Sequence, residues 1–141
     1  MQPAYALHAV VALLDRAAED ILRGTVEVSF SRFLVLLVVE RLGAPTQREL
    51  AGELGVSEPA VSRTVGLLAE SGLIVVVSTA GSGHRKAVSL TPKGQRVVDD
   101  AAKTLEARFA ELMRAAKVSE SDVLAVTTPL LRLLSPVEAS S

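Results

Sequence analysis

The spacing of apolar residues along the chain predicts a mainly α-helical protein that contains one small β-hairpin. From Tyr5 to Arg23, apolar side chains recur on one broad face of a helix, which Gly24 can end. The segment from Ser29 to Arg41 is apolar on nearly all sides, which is typical of a helix buried in a core. We therefore expect an amphipathic first helix and an internal second helix.

Capping residues divide the next stretch into two short helices. The segment Thr46–Leu54 begins with a capping box that Glu49 completes, in which each side chain accepts a hydrogen bond from the other residue's backbone N–H. Gly55 then supplies the backbone conformation of a tight turn. A further helix is expected over Ser57–Ser71, with the serine hydroxyl as its N-cap.

The rest of the chain predicts a hairpin followed by two helices. β-Branched residues favour strands at Leu73–Ser78 and Arg85–Leu90, so the small residues between them form the tip of a hairpin. Proline is favoured at the first position of a helix, and a long helix is expected over Pro92–Lys117. The Ser119–Asp122 pair caps a last helix, in which Pro129 is expected to cause a kink or a break.

The composition removes several classes of chemistry. The chain has no cysteine, which excludes disulfides, thiol catalysis and cysteine-ligated metals and suits a reducing cytoplasm. Its two histidines, His8 and His84, lie in different predicted elements, so neither a histidine metal site nor a catalytic triad is expected. Aromatic residues make up 3% of the chain, too few for a surface that stacks single-stranded bases. We expect no enzymatic activity, no metal and no cofactor.

The mean hydropathy of +0.37 is high for a chain of 141 residues. A small domain buries a limited share of its surface, so the excess apolar surface is expected at an interface between copies of the chain. No membrane span is expected, because the longest apolar run, Phe33–Val39, is far shorter than the ~20 residues that cross a bilayer. The charged stretch Asp15–Asp20 argues against a signal peptide.

The net charge of −1 hides a local basic segment. Between Thr79 and Arg96, the formal charges are all positive and belong to Arg85, Lys86, Lys93 and Arg96. A basic patch on a nearly neutral protein is sufficient for contact with phosphate groups. The predicted hairpin is therefore a candidate nucleic-acid contact.

Three residues in the two capped helices have the spacing of a helix-turn-helix. Ala51 permits a close crossing of the helices, Gly55 supplies the positive φ of the turn, and Val61 packs inward. A plain helical hairpin would show the same three residues, but a hairpin with basic residues follows here. A helix-turn-helix followed by a β-hairpin is a winged helix, and this is the fold that we expect.

A family resemblance is carried by VSFSRFLVLLVVERLGAPTQRELAGELGVSEPAVSRTVGLLAESGLI, followed by AVSLTPKGQ. These segments resemble the MarR family of bacterial transcriptional regulators, and the resemblance extends from about Tyr5 to Leu134. It implies a winged helix-turn-helix DNA-binding domain over residues 29–91 and a helical dimerisation region formed by residues 1–28 and 92–141. It also implies a homodimer whose recognition helices enter successive major grooves of double-stranded DNA, with the wings in the flanking minor grooves.

The resemblance further implies which residues contact DNA. Arg63 is the best candidate for a base contact, because a guanidinium group reads guanine in the major groove. The start of the third helix is expected to hold phosphate groups, and the wing is expected to enter the minor groove. The candidates are Thr46, Gln47 and Arg48 in the third helix; Ser57, Pro59, Ala60, Ser62 and Arg63 in the fourth; and His84, Arg85 and Lys86 in the wing.

Two features depart from the family pattern. Glu58 stands where the family often has a polar or basic residue. Its carboxylate could accept a hydrogen bond from a cytosine amino group, and it could equally be repelled by the phosphates of DNA. The net charge from Pro45 to Glu70 is −2. In the wing, the family's Asp and Arg positions fall on Ser82 and His84, so the bracing acid is missing and Arg85 is expected to act in the minor groove.

Family members often bind small phenolic or other aromatic acids between the dimerisation helices and the winged helix. This implies Tyr5, His8, Phe30 and Arg32 as candidate ligand contacts, although each also has a plain role in a core, an interface or a cap. We thus expect a sequence-specific cytoplasmic regulator, a repressor that such an effector releases from DNA. The alternative is a winged-helix dimer that has lost DNA binding and acts through protein contacts, which the acidic recognition helix and the altered wing favour.

Overall fold

The computed structural model describes residues 1–78 and 86–135. Within these ranges the helices and strands follow the predicted order, with bounds that differ from the predicted ones by one or two residues. They are α1 (Pro3–Arg23), α2 (Phe30–Leu42), α3 (Gln47–Leu54), α4 (Glu58–Glu70), β1 (Ile74–Ser78), β2 (Lys86–Leu90), α5 (Pro92–Ala116) and α6 (Glu120–Leu134). The mainly helical winged-helix fold is confirmed.

The chain divides into two compact units, residues 1–103 and 104–141. The first unit contains α1 to α4, the hairpin and the beginning of α5. At its centre lies α2, which contacts α1, α3, α4 and β2. These contacts on several sides explain why α2 is apolar around its circumference, and Phe33, Leu36 and Val39 are all buried.

Helix α1 buries its apolar side chains only near its C-terminal end. Its buried residues are Ala18 and Leu22, both near its C-terminal end. Near that end, the Glu19 carboxylate also accepts a hydrogen bond from the backbone N–H of Phe30, with an N–O distance of 3.0 Å. The N-terminal half instead exposes large apolar side chains, namely Tyr5, Leu7, Val10, Val11 and Leu13.

The hairpin strands are antiparallel, with Ile74 opposite Leu90 and Ser78 opposite Lys86. A further bridge joins Thr46 to Ala87, and the backbone N–H of Val88 donates to the carbonyl oxygen of Pro45 at 2.8 Å. The segment that leads into α3 is therefore held against β2. This pairing fixes the start of the helix-turn-helix relative to the wing strands.

Within the second unit, α6 begins with a capping box between Ser119 and Asp122, as predicted. A kink or a break is expected at Pro129; the break does not occur, because α6 continues through this residue to Leu134. Proline has no backbone N–H, so the carbonyl oxygen of Ala125, four residues earlier, lacks its helical donor. Because Ala125 is exposed, water can donate a hydrogen bond to that oxygen instead. Large exposed apolar residues of α6 are Leu124, Val126, Leu130, Leu131, Leu133 and Leu134.

Among residues 1–78 and 86–135, no helix combines the length and hydrophobicity required to span a membrane.

Candidate nucleic-acid interface

The turn between α3 and α4 has the geometry that its glycine predicts. Gly55 has φ +66° and ψ 32°, the left-handed conformation that ends a helix without steric cost to glycine. The backbone N–H of Val56 donates to the carbonyl oxygen of Ala51 at 3.1 Å and closes the last turn of α3. Ala51 and Val61 are both buried, as expected for the two sides of a close helix crossing.

The capping box at the start of α3 is confirmed. The Thr46 hydroxyl accepts from the Glu49 backbone N–H at 3.1 Å, and the Glu49 carboxylate accepts from the Thr46 N–H at 3.4 Å. Gln47 and Arg48 form the first turn beyond this cap, and Arg48 is strongly exposed, with 89% of its side-chain surface accessible. The three predicted phosphate contacts thus stand together at one helix N-terminus.

Helix α4 separates a buried face from an exposed one. The Ser57 hydroxyl accepts from the backbone N–H of Ala60 at 3.3 Å, which confirms it as the N-cap. The buried residues Val61, Val65 and Leu68 hold the helix against the core. The predicted base-reading positions Ser57, Pro59, Ser62 and Arg63 are exposed, and Ala60 is half-buried.

The far end of α4 is fixed by residues that the sequence interpretation did not single out for this role. The Thr91 hydroxyl donates to the Gly72 carbonyl oxygen at 2.6 Å and accepts from the Gly94 N–H at 3.0 Å. The Lys93 ammonium donates to the Ser71 carbonyl oxygen at 3.3 Å. The start of α5 therefore anchors the C-terminal end of the candidate recognition helix. Nothing local in the sequence identifies these partners.

The wing residues are only partly placed. Lys86 is exposed at the first position of β2. His84 and Arg85, together with Ser82, lie outside the described residues. Of the predicted wing contacts, Lys86 is therefore the one whose position the structure gives.

The candidate ligand contacts lie on two helices. Tyr5 and His8 are exposed on α1. Phe30 is half-buried at the start of α2, where its ring stacks on Phe33 with centroids 6.2 Å apart, and Arg32 is exposed in the same turn. Among the described residues no ring contact joins Tyr5 to Phe30. Phe30 and Arg32 thus lie within one turn of α2, whereas Tyr5 and His8 lie on the exposed N-terminal half of α1.

One ion pair connects the two helices of the helix-turn-helix. Arg48 Nε lies 4.0 Å from Glu58 Oε1, and 61% of the glutamate side-chain surface is accessible. The sequence interpretation treated these residues separately, since they are ten positions apart and belong to different helices. The structure brings a predicted phosphate contact and the unexpected acid of the recognition helix together.

The comparisons with known proteins agree with this geometry. Residues 27–85, a range that includes α2, α3, α4 and β1, match the sequence profile of the MarR family. Over this segment the chain is similar in sequence to the MarR family. No curated protein sequence matches it significantly.

Several solved structures have a similar fold. CouR from Rhodococcus jostii, bound to p-coumaroyl-CoA, superposes with a TM-score of 0.82 at 21% identity, covering 99% of this chain and 96% of CouR. A MarR variant from E. coli complexed with operator DNA gives 0.77 at 20% identity, covering 93% and 92%. NadR in complex with 4-hydroxyphenylacetate gives 0.81 at 15% identity, covering 98% and 95%. At these identities the likeness establishes the fold that this chain shares with them.

Proposed function

We propose that this chain is a sequence-specific DNA-binding transcription regulator of the MarR family that acts as a homodimeric repressor on a pseudo-palindromic site. The observation that carries the proposal is the exposed face of α4. Ser57, Ser62 and Arg63 point away from the buried Val61 and Val65, on a helix held at both ends. A rigid helix with exposed polar residues near its N-terminus is the element that helix-turn-helix proteins insert into the major groove.

The remaining DNA contacts follow from the same arrangement. Thr46, Gln47 and Arg48 lie at a helix N-terminus, where backbone N–H groups and a guanidinium favour a phosphate group. Lys86 and the basic residues of the wing sequence, His84 and Arg85, are proposed to reach the minor groove. The similar MarR variant in complex with operator DNA supports this assignment by its fold.

Dimerisation is supported by exposed apolar surface on helices outside the proposed DNA-binding domain, residues 29–91. Half of α1 and nearly all of α6 expose leucine and valine side chains, including Leu13, Leu131 and Leu133. Exposed apolar residues in this number are typical of a protein interface. Residues 1–28 and 92–141 are the proposed dimerisation region.

A phenolic or other aromatic acid is the proposed effector. CouR and NadR, which have similar folds, are bound to p-coumaroyl-CoA and 4-hydroxyphenylacetate respectively. In this chain the proposed contacts are Tyr5, His8, Phe30 and Arg32, which combine aromatic surface with a cation for the acid. An effector that binds the DNA-free arrangement of the dimer more tightly than the DNA-bound arrangement would then favour release of the dimer from DNA.

The test is a fluorescence-anisotropy titration with DNA from upstream of the chain's own gene and with a scrambled duplex, at two salt concentrations. A specific regulator binds the former at least about a thousandfold more tightly, with an affinity that falls steeply with salt. Arg63→Ala is expected to lower the specific affinity about tenfold or more, since a bidentate base contact contributes ~1–3 kcal/mol. Arg23→Ala, which removes an exposed arginine of α1, is the matched control and leaves the affinity unchanged.

The second candidate function is a winged-helix dimer that acts through protein contacts. It is favoured by the Arg48–Glu58 pair, which neutralises one of the two basic residues between Pro45 and Glu70. Equal, weak binding to both duplexes, with Arg63→Ala indistinguishable from the wild type, contradicts the regulator and supports this candidate.

A further inference from the structure

Two residues at the N-terminal ends of α3 and α4 neutralise each other in the DNA-free chain. Arg48 lies in the first turn of α3 and Glu58 is the first residue of α4. Their side chains are exposed, with Nε and Oε1 4.0 Å apart. The pair therefore stands on the surface that the proposed function turns towards DNA.

A carboxylate occupies the same kind of site on arginine as a phosphate oxygen. Both are anionic acceptors that pair with the N–H groups of a guanidinium. A carboxylate beside the guanidinium competes with a phosphate oxygen for its charge and for its N–H donors. Between Pro45 and Glu70 the other basic residue is Arg63, so the pair engages half of the positive charge of the helix-turn-helix.

We propose that Glu58 is an internal competitor for phosphate at Arg48, so that DNA binding exchanges the Arg48–Glu58 pair for an Arg48–phosphate contact. This inference rests on the proposed function. Because the phosphate backbone is the same in every duplex, the competition weakens binding to all sequences by the same factor. Exposed ion pairs contribute little, and the expected factor is about two- to fivefold.

The test uses the full-length chain and a scrambled duplex at low salt as the probe. Glu58→Gln removes the competing carboxylate and keeps the size of the side chain. Glu70→Gln makes the same change of charge at the last residue of α4, where no ion pair is recorded among the described residues. Glu58→Gln is expected to tighten binding about two- to fivefold more than Glu70→Gln does.

A double-mutant cycle separates competition at Arg48 from general repulsion by the carboxylate. In an Arg48→Gln background the advantage of Glu58→Gln over Glu70→Gln is expected to vanish, since no guanidinium remains to be released. The competition is refuted if Glu58→Gln still binds DNA more tightly than Glu70→Gln in the Arg48→Gln background. It is also refuted if the two glutamate variants bind DNA equally in the wild-type background.

Base reading by Glu58 is a separate outcome of the same experiment. A variant that binds the scrambled duplex like the wild type, but changes the preferred base at one operator position, identifies Glu58 as a base contact and overturns the proposal. The proposed function fails on a different measurement, the ratio of specific to scrambled affinity. If the chain binds its own operator more tightly than the scrambled duplex but the effect of Glu58→Gln does not depend on Arg48, the proposed function stands. In that case only the competition between Glu58 and phosphate is refuted.

Discussion

Gly94 lies so close to Leu73 that a Cβ atom on residue 94 would come within 2.0 Å of the Leu73 carbonyl oxygen. The neighbouring atom is backbone, which cannot rotate away as a flexible side chain can. The backbone N–H of Thr91 donates to the same carbonyl oxygen at 3.0 Å, so the contact brings the start of α5 against the residue before β1. Glycine is thus required at this position by packing.

Gly94→Ala is expected to lower the free energy of unfolding by about 3 kcal/mol or more, because the helix must move to admit one methyl group. Denaturant unfolding followed by circular dichroism measures the change. Gly66→Ala is the matched control, since a Cβ at residue 66 meets nothing within 4 Å. In that exposed helical position alanine is expected to stabilise by up to ~1 kcal/mol. Equal effects of the two substitutions would contradict the steric explanation.

Thr91→Val is expected to destabilise the first unit by about 1–3 kcal/mol. The substitution keeps the shape of the side chain but removes the hydroxyl that bonds both the Gly72 carbonyl oxygen and the Gly94 N–H. Thr91→Ser, which retains the hydroxyl, is expected to recover most of the loss in the same unfolding measurement. If the serine variant is as unstable as the valine variant, the methyl group and not the hydroxyl is responsible.

The pKa of Asp122 provides a test of the α6 cap. Hydrogen bonds from the Ser119 backbone and then from its side chain hold the pKa of this carboxyl below its ordinary value of 3.8. Ser119→Ala removes the hydroxyl and leaves the backbone donor, so the pKa is expected to rise part of the way back. An NMR titration of the Asp122 carboxyl carbon measures it, and an unchanged pKa in the variant contradicts the role of the hydroxyl.

The same shift fixes the sign of the pH dependence. Because the folded-state pKa is lower than the unfolded one, the ionised carboxylate stabilises the folded chain above pH 3.8, and this contribution is lost as the pH falls through the lowered pKa. The difference in stability between the wild type and Asp122→Asn is therefore expected to narrow in acid. A difference that stays constant from neutral pH down to acid pH contradicts the assignment.

Pro129→Ala is expected to stabilise α6, by up to ~3 kcal/mol, because alanine restores a backbone donor within a helix that already continues through the residue. Thermal unfolding and helical circular dichroism report the gain. Pro92→Ala is the matched control, since Pro92 is the first residue of α5, where the missing N–H has no partner within the helix. The control is expected to be neutral or slightly destabilising; a gain equal to that at residue 129 refutes the explanation.

Leu13→Lys tests the proposed dimer interface. Leu13 is 61% exposed on the apolar half of α1, so a lysine there would place a charge in an interface without altering the core of a single chain. Sedimentation velocity is expected to show a shift towards monomer. Asp15→Lys introduces the same residue two positions along the helix, where a charge already stands, and is expected to keep the wild-type association state. Identical association of both variants contradicts a role for α1 in the dimer.

The local features of this chain were predictable because their causes lie within a few residues. The caps at Ser29, Thr46 and Ser119 each depend on a backbone N–H three positions away. The turn at Gly55 depends on the conformational freedom of that one residue. A short-range pattern of this kind has the same physical meaning in any tertiary context. At Pro129 the missing backbone donor was predicted correctly, and of its two expected consequences, a kink or a break, the break does not occur.

The candidate site depended on more distant contacts. The sequence alone proposed Arg48 and noted Glu58, but the ion pair between them exists only because the Gly55 turn folds α4 back across α3. Likewise, Thr46 meets Ala87, and Thr91 reaches Gly72, through the packing of separate elements. No periodicity marks such partners.

The amino-acid sequence by itself therefore determined the order of the helices and strands, their caps and the helix-turn-helix, because backbone hydrogen bonding and side-chain periodicity act over one or two turns. Only the tertiary structure decided that Gly94 must remain a glycine, that Lys93 closes the end of α4, and that Arg48 faces an acid. Those contacts join residues that become neighbours when apolar surfaces such as those of α2 and β2 are buried together.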